Sequence, residues 1–260
     1  MQTVRPAAVA GAFYPKLPEE CVAQVDHFLQ GQPIVSPKLK VLLAPHAGYI
    51  YSGEVAGKAY AQLIPLRDKI KRVVLLGPNH RVPLRGIALP SVDFFESPLG
   101  LVPLDKTALE ALRVLPFVGI SDQVHAEEHS LEVHLPFLQR VLTSFALVPL
   151  VVGELPPELV AQALDMLWGG DETLIVVSTD LSHYLPYEVA VHTDLNTQAA
   201  ILQLRTDITP RQACGAHPLN GLLKIAAQKA LKINCIAQNN SGDTAGPKDR
   251  VVGYGAYALS

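Results

Sequence analysis

The sequence has few of the features that mark secreted, membrane-spanning or disulfide-stabilised proteins. Its only cysteines are Cys21, Cys214 and Cys235, an odd and sparse set that makes no disulfide framework and fits a reducing compartment. The longest apolar stretches have the length of strands and are interrupted by proline, glycine or charge, so no transmembrane helix is expected. The N-terminus has no long apolar run of the kind found in signal peptides. These absences predict a cytoplasmic protein with no membrane partner.

Charge of one sign is not concentrated anywhere in the chain. The formal net charge is −3, and there is neither a basic stripe nor an acidic tail, which argues against a nucleic-acid partner. Apolar residues are abundant: they make up 49% of the 260 residues, enough for a large packed core. The length lies at the upper end of one domain and also allows two small ones. Because no low-complexity linker divides the chain, we expect a single domain over residues 1–260.

Short β-branched runs alternate with amphipathic stretches, a pattern typical of α/β proteins. Such alternation predicts a mostly parallel or mixed central sheet with helices on both faces. We expect the last two strands to pair antiparallel at one edge, and residues 239–249 to form a long loop. The predicted strands are 40–45, 72–77, 86–89, 146–152, 173–178, 232–237 and 251–258. The predicted helices are 53–63, 105–114, 128–143, 156–167, 187–204 and 217–230.

Polar side chains follow three of these strands at the point where each strand ends. His46 follows the first, His80 follows the second, and Asp180 and His183 follow the strand at 173–178. Ligands of open α/β sheets bind outside the carboxyl ends of the strands, so parallel neighbours would bring these side chains into one crevice. The alternative is that each group bonds to local backbone, but the repetition at three strand ends favours a shared site.

Cys214 is a further candidate for this site. Two imidazoles with a carboxylate or a thiolate are adequate ligands for a divalent transition metal. Cys214 lies just before an apolar helical stretch in which Pro218 suits the first turn. The positive end of that helix would favour a thiolate and lower the pKa of the cysteine. A soft metal ligand, a reactive thiol and a buried structural cysteine are the three interpretations.

The pentapeptide from His125 to His129 matches the H-x-x-E-H pattern of inverted zinc peptidases. The apolar helical pattern begins only after His129, so the motif straddles a helix start and is weak evidence for a peptidase. His129 can still line the crevice if its helix directs its N-terminus inward. His134 is interpreted as a packed or surface residue of that helix.

Two tyrosines follow His46 closely. Gly48 permits close backbone approach, and Tyr49 and Tyr51 can supply a pocket wall with a phenol donor. Aromatic packing at the end of the sheet is the alternative, and for Tyr51 it is equally well supported.

With these motifs in place, the sequence resembles the Memo family, also called AmmeMemoRadiSam system protein B. The resemblance runs nearly from end to end, and the blocks occur in the expected order. The blocks are RPAAVAGAFYP at 5–15, APHAGYIYSG at 44–53, GPNH at 77–80, DFFESPLG at 93–100, EHSLEVHLPFLQ at 128–139, STDLSHY at 178–184, CGAHP at 214–218 and VVGYGAY at 251–257.

The resemblance implies a fold similar to class III, LigB-type extradiol dioxygenases, which hold Fe(II) with two histidines and one carboxylate. It implies that His46, His80 and Cys214 are metal ligands and that Asp180 and His183 lie beside the metal. A cysteine in place of the carboxylate is softer and shifts the preference toward Cu(I), Zn(II) or sulfur-ligated iron, which disfavours catechol cleavage. The resemblance also implies association with AMMECR-type and radical-SAM proteins.

Three functions follow as hypotheses. The first is a metal-dependent redox enzyme with iron or copper, or alternatively zinc, at the site. In it His183, oriented by Asp180 or simply near it, is the general acid/base, and Tyr49 and His129 are substrate-binding residues. The second is a non-catalytic adaptor that keeps the pocket and binds a small molecule, a peptide or a protein partner. The zinc peptidase built on His125 and His129 is a third and weaker hypothesis.

Overall fold

Strands and helices alternate along the chain in a computed structural model, which describes residues 2–34 and 38–260. The predicted domain, residues 1–260, therefore includes four residues that lie outside the described ranges. The strands are β1 Val4–Arg5, β2 Val41–Ala44, β3 Arg72–Pro78, β4 Ile87–Leu89, β5 Phe94–Ser97, β6 Gly100–Pro103, β7 Val118–Ile120, β8 Ala146–Val152, β9 Thr173–Ser178, β10 His183–Leu185, β11 Ile233–Asn240 and β12 Val251–Leu259. The helices are α1 Pro18–Leu29, α2 Tyr49–Ala61, α3 Lys106–Leu112, α4 Asp122–Ala126, α5 His129–Glu132, α6 Leu135–Val141, α7 Pro157–Leu167, α8 Tyr187–Leu202 and α9 Ala216–Gln228, with 3₁₀ turns at Ile64–Leu66 and Ser241–Asp243.

The large sheet is mixed and has nine strands within the described part of the chain. Its order is β10-β12-β2-β9-β3-β8-β4-β7, and β11 pairs with β12 outside that path. The four central strands, β2, β9, β3 and β8, are mutually parallel, whereas β12 pairs antiparallel with β2 and β4 pairs antiparallel with β8. A separate three-stranded sheet has the order β1-β5-β6. The chain is thus a single-domain α/β protein with a mixed sheet, as the sequence predicts.

The central strands are mostly apolar because both of their faces are covered. Every residue of β2 and β9 is buried, the pattern expected of parallel strands with helices on both sides. On one side α9 packs on β3 and β9 and also on α7. A second group of helices, α1, α2 and α6, packs together, with α2 against β2, β11 and β12.

The predicted helix at 128–143 is in fact two helices, α5 and α6, because Pro136 lies near the start of α6 and cannot supply the N–H that a continuous helix needs. The first predicted helix begins at Tyr49 and not at residue 53. The antiparallel pairing of β11 with β12 is confirmed. β12 is not itself an edge strand, because it also pairs with β2 and β10. No helix within the described ranges is long and apolar enough to cross a membrane.

Candidate metal centre

Three neighbouring parallel strands bring their carboxyl ends to one edge of the sheet. In the register of β2 and β9, Ala44 lies opposite Ser178, and β3 runs beside β9 in the same direction. The loops that leave these strands carry His46, His80, Asp180 and His183, and all four residues line one cavity of about 570 Å³. The polar residues that follow separate strands in the sequence therefore share one site.

Three imidazoles form the centre of this cavity. His46, His80 and His129 each offer a nitrogen atom, and the three nitrogens lie within 4.8 Å of one another. The ring centroids are 5.2 Å apart for His46 and His80, and 4.6 Å apart for His80 and His129. His129 is the first residue of α5, whose N-terminal end faces the cavity. This group, hereafter the histidine triad, is the densest set of potential metal ligands within the described ranges.

Cys214 lies next to the triad but outside it. Its Sγ is 3.3 Å from His46 Nε2, and it accepts a hydrogen bond from the backbone N–H of Asp180 at 3.3 Å. Burial and the nearby Asp180 carboxylate raise the pKa of the Cys214 thiol well above its ordinary value. The expectation of a lowered pKa at the start of α9 is therefore wrong, because desolvation outweighs the helix dipole here. In the metal-free protein Cys214 is a thiol.

His46 is held by its backbone and by its ring. Asp180 Oδ1 accepts a hydrogen bond from the His46 backbone N–H at 2.8 Å, and His46 Nδ1 lies 2.6 Å from Ser178 Oγ. Burial, with smaller contributions from the other histidines of the cavity, holds the pKa of His46 well below its ordinary value. The ring is therefore neutral at physiological pH, which is the form that binds metals.

His80 is oriented by a carboxylate. Its Nδ1 lies 2.9 Å from Glu128 Oε1, and its backbone N–H donates to Glu128 Oε2 at 2.5 Å. Burial would raise the pKa of Glu128, but hydrogen bonds from His80 and from the Ser130 backbone outweigh it and lower the pKa to about 2. An ionised carboxylate can only accept, so His80 carries its proton on Nδ1 and presents Nε2 to the cavity. Carboxylate–histidine pairs of this type are common behind metal ligands.

The hydrogen bonding of His129 indicates whether these residues fit a metal. Its Nδ1 is buried and has no hydrogen-bond partner among the described residues; the nearest acceptor, Glu128 Oε1, is 3.5 Å away. Burial lowers the pKa of His129 to about 4, so the ring is neutral. A buried nitrogen without a partner is costly unless another group satisfies it. Three imidazoles, one of them with an unsatisfied nitrogen, fit the donor set of a transition metal.

Asp180 and His183 complete the polar lining. Burial raises the pKa of Asp180 to about 6, and the nearby His183 and the His46 backbone N–H act in the opposite direction. His183 Nδ1 lies 2.8 Å from the Leu181 carbonyl oxygen. Since a carbonyl only accepts, His183 carries its proton on Nδ1 and leaves Nε2 as a base. The Leu181 carbonyl, and not Asp180, orients His183.

Tyr49 does not line the cavity. Its hydroxyl donates to the Val133 carbonyl at 2.7 Å, and its ring packs against Tyr14 and Phe137 in the core. The prediction that Tyr49 binds substrate is corrected by this burial: α2 begins at Tyr49, so the ring turns inward and Tyr51 lines the cavity instead.

Sequence reasoning missed several residues of the cavity wall. Phe13 packs on His129 with ring centroids 4.7 Å apart, and Tyr184 lies under Arg250, whose guanidinium carbon is 5.1 Å from the ring centroid. Arg81 follows His80 directly and also lines the cavity, as does Tyr254. Arg81 and Tyr184 each follow a predicted site histidine directly, and that position was the signal in the sequence.

The zinc peptidase hypothesis requires both His125 and His129 as ligands, and His125 lies outside the metal centre. His125 Nε2 lies 2.9 Å from the Ala88 carbonyl oxygen, and its ring packs edge-on against Phe95. Burial lowers the pKa of His125 to about 4, and the residue is not part of the histidine triad. The H-x-x-E-H match therefore does not describe a metal site here.

These features define an α/β protein with a histidine triad at the carboxyl edge of its sheet. The family described as Memo-like protein matches residues 5–258, and the chain belongs to this family. A MEMO1 family protein of Aquifex aeolicus is 37% identical, covering 96% of this chain and 97% of the relative. A MEMO1 family protein of Methanosarcina barkeri is 33% identical, covering 98% and 100%.

A solved structure supports the fold. An uncharacterized protein from Escherichia coli K12 matches with a TM-score of 0.58 over 85% of this chain and 100% of the other, at 13% sequence identity. At that identity the likeness concerns the fold alone. The predicted similarity to LigB-type dioxygenases stays a prediction.

Proposed function

We propose that this protein binds a redox-active transition metal at His46 and His80 and uses it in redox or oxygen-linked chemistry. The observation that carries the proposal is the histidine triad, whose three nitrogens lie within 4.8 Å of one another in an open cavity. Imidazole nitrogens suit iron, copper and zinc alike; iron or copper is the metal we expect, with zinc as the alternative.

The third ligand is either His129 or Cys214. His129 belongs to the triad, and Cys214 Sγ lies 3.3 Å from His46 Nε2, so each offers a donor atom close to His46. We favour Cys214 because its sulfur lies against the free nitrogen of His46. His129 then serves as a wall for the bound substrate, and its ring is backed by Phe13.

The bound metal would supply Lewis-acid or one-electron chemistry at the centre of the cavity. His183, with Nε2 free and its ring fixed by the Leu181 carbonyl, takes or returns a proton as general acid/base. Asp180, with a pKa of about 6, sits at the same edge and carries a proton part of the time near neutral pH.

The test is the metal content of protein purified without oxygen. Wild type is expected to contain iron or copper, and His46→Ala and His80→Ala are expected to lose it. His192→Ala is the matched control, because His192 is an exposed residue of α8. Equal and negligible iron and copper in the wild type and in both site variants would contradict the proposal.

A second candidate function is that of an adaptor that binds a partner or peptide through the same cavity. The observation that favours it is the composition of the rim: Tyr51, Tyr184, Arg81 and Arg250 line the open cavity, and tyrosine and arginine are typical of binding hot spots. AMMECR-type and radical-SAM proteins are the partners we would test first. If Arg250→Ala and Tyr184→Ala retain partner binding in a pull-down from cells, the rim is not the docking surface.

A further inference from the structure

Behind His46, on the side away from the cavity, lies a chain of buried polar groups. These groups are not part of the metal site described above. It consists of Ser178, His134 and Tyr60, which are 0%, 1% and 0% exposed. Ser178 is the last residue of β9, His134 precedes α6 and Tyr60 belongs to α2. Three separate elements thus meet at one point directly behind a candidate ligand.

The Ser178 hydroxyl makes three short contacts. Its Oγ donates to the Ser130 carbonyl oxygen at 2.6 Å, and it lies 2.6 Å from His46 Nδ1 and 2.8 Å from His134 Nε2. A serine hydroxyl has one proton and two acceptor lone pairs. A carbonyl cannot donate, so the proton of Ser178 is committed to Ser130. Both imidazoles must then present an N–H to the serine oxygen.

The far end of the chain agrees with this assignment. His134 Nδ1 lies 2.8 Å from the Tyr60 hydroxyl. Burial holds the pKa of Tyr60 above its ordinary value and lowers the pKa of His134 to about 3, so the phenol keeps its proton and the imidazole is neutral. The only hydrogen bond of the Tyr60 hydroxyl among the described residues is the one to His134 Nδ1, so the phenol proton is satisfied only if Tyr60 donates there. The single proton of His134 is then on Nε2, where Ser178 accepts it.

We infer that the Ser178 hydroxyl, held by His134 and Tyr60, is a positioning residue that keeps the proton of His46 on Nδ1 and so leaves Nε2 free for a metal. The inference rests on the proposed function, because a free Nε2 matters only if a metal binds there. The hydrogen bonds from which it is argued do not depend on that function. The opposite tautomer would place a lone pair of Nδ1 against a lone pair of Ser178 at 2.6 Å.

Besides Cys214, the group that could favour the opposite tautomer is Asp180. Its Oδ2 lies 3.9 Å from His46 Nε2, which is too long for a hydrogen bond. Cys214 Sγ is closer, at 3.3 Å from Nε2, but a thiol sulfur is only a weak acceptor, whereas the Ser178 oxygen lies 2.6 Å from Nδ1. Ser178 therefore decides the position of the proton.

The same arrangement explains why His134 is buried and not on the surface. Without His134, one lone pair of Ser178 would be empty, and the hydroxyl would be free to rotate toward His46. With His134 in place, all three bonding positions of the hydroxyl are filled. Partners behind a ligand typically change metal affinity by about 10- to 100-fold when they are removed.

The decisive measurement is the tautomer of His46 in metal-free protein, read from the ring ¹⁵N signals of histidine-labelled protein at neutral pH. A His46→Gln sample assigns the signals. We expect a protonated Nδ1 and a bare Nε2 in the wild type. A proton on Nε2 in the wild type overturns the inference without any variant, so the test does not depend on whether a substitution folds.

Ser178→Ala is the second arm. We expect the Nε2-protonated form of His46 to appear and Zn²⁺ affinity, measured by competition with a chelator, to fall by about 10- to 100-fold. Tyr60→Phe should cause a smaller fall and a mixture of tautomers at His134. Ser97→Ala is the matched control. Ser97 lies in the small sheet, and the substitution removes a buried hydroxyl that is hydrogen-bonded to Gln139, so Zn²⁺ affinity should be unchanged.

The outcomes distinguish the positioning role of Ser178 from the proposed metal-binding function. An unchanged His46 tautomer and unchanged Zn²⁺ affinity in Ser178→Ala would overturn the positioning role. If the wild type shows the expected tautomer but binds neither Zn²⁺ nor iron nor copper, the proposed function fails while the assignment of the His46 proton stands.

Discussion

Glu128 contacts His80 at two points, with one carboxylate oxygen 2.9 Å from the ring Nδ1 and the other 2.5 Å from the backbone N–H. The two contacts fix both the position and the rotation of the imidazole. Because Glu128 is also the N-cap residue of α5, the same carboxylate places His129, the first residue of that helix, against His80. One acidic residue thus organises two members of the histidine triad.

Replacing Glu128 by glutamine should weaken metal binding. The amide keeps the size of the side chain but removes the charge that holds the proton on His80 Nδ1. We expect Zn²⁺ or Fe²⁺ affinity to fall by about 10- to 100-fold, measured by competition with a chelator. Glu127→Gln changes the exposed neighbour in the same way and should have no effect. Equal affinities for the two variants would show that Glu128 does not support the site.

Acid should destabilise the metal-free protein between about pH 6.5 and pH 4. Burial lowers the pKa values of His125, His129 and His134 to about 4, 4 and 3, below the ordinary value of 6.5. The unfolded chain therefore binds more protons than the folded one in this range. The stability is fully present above pH 6.5 and is lost as the pH falls, by about 1.4 kcal/mol per pH unit for each such proton.

Denaturant unfolding at pH 7, 6 and 5, with a chelator present, measures this dependence. His125→Asn should reduce the pH dependence of the free energy of unfolding by the contribution of about one proton, because it removes one buried histidine and leaves the triad unchanged. His192→Ala removes an exposed histidine and should leave the pH dependence as it is. A free energy of unfolding that does not change between pH 7 and pH 5 would disprove the account.

Much of this site follows from one rule that a sequence reader can apply. His46, His80, Asp180 and His183 all follow the ends of parallel strands, and that placement alone predicts a common crevice. Ser178 could not be identified in this way, because its role depends on a contact with His134 from a distant segment. The orientation of side chains across the core depends on packing between elements, which local patterns do not encode.

Other features escaped the sequence for equally specific reasons. The pKa of Cys214 depends on how deeply the thiol is buried, which a helix-start pattern does not reveal. The inward turn of Tyr49 depends on the residue at which α2 begins, and element boundaries are the least certain part of a sequence-based prediction. The position of Phe13 depends on how the N-terminal segment docks on the rest of the protein.

That docking depends on Glu132, a fully buried residue of α5. Its carboxylate pairs with Arg5 and accepts hydrogen bonds from the backbone N–H groups of Ala8 and Val9 and from the Tyr14 hydroxyl. Glu132→Gln leaves the Arg5 charge buried without its partner. We expect a loss of about 3–5 kcal/mol in the free energy of unfolding, the usual cost of breaking a buried ion pair.

An exposed ion pair provides the control for this loss. Arg113 and Glu110 form a pair on the surface of α3, and Glu110→Gln should cost less than about 1 kcal/mol. Denaturant unfolding of the two variants under identical conditions makes the comparison. Similar small losses would show that Glu132 is not what anchors the N-terminal segment and Phe13.

Proton release on metal binding should identify the third ligand. Because the pKa values of His46 and His129 are lowered, neither ring holds an extra proton at pH 7.5. The Cys214 thiol, whose pKa is raised, must give up its proton to coordinate. If Cys214 is the third ligand, calorimetric titration with Zn²⁺ in buffers of different ionisation enthalpy should show about one proton released per metal.

The variants make this prediction specific. Cys214→Ser should abolish the proton release and weaken binding, whereas His129→Ala should leave the release at one proton. Release of no proton by the wild type, together with lost binding in His129→Ala, would assign the third position to His129. Metal affinity should also increase with pH in the wild type and stop doing so in Cys214→Ser, since only a ligand that deprotonates links binding to pH in this range.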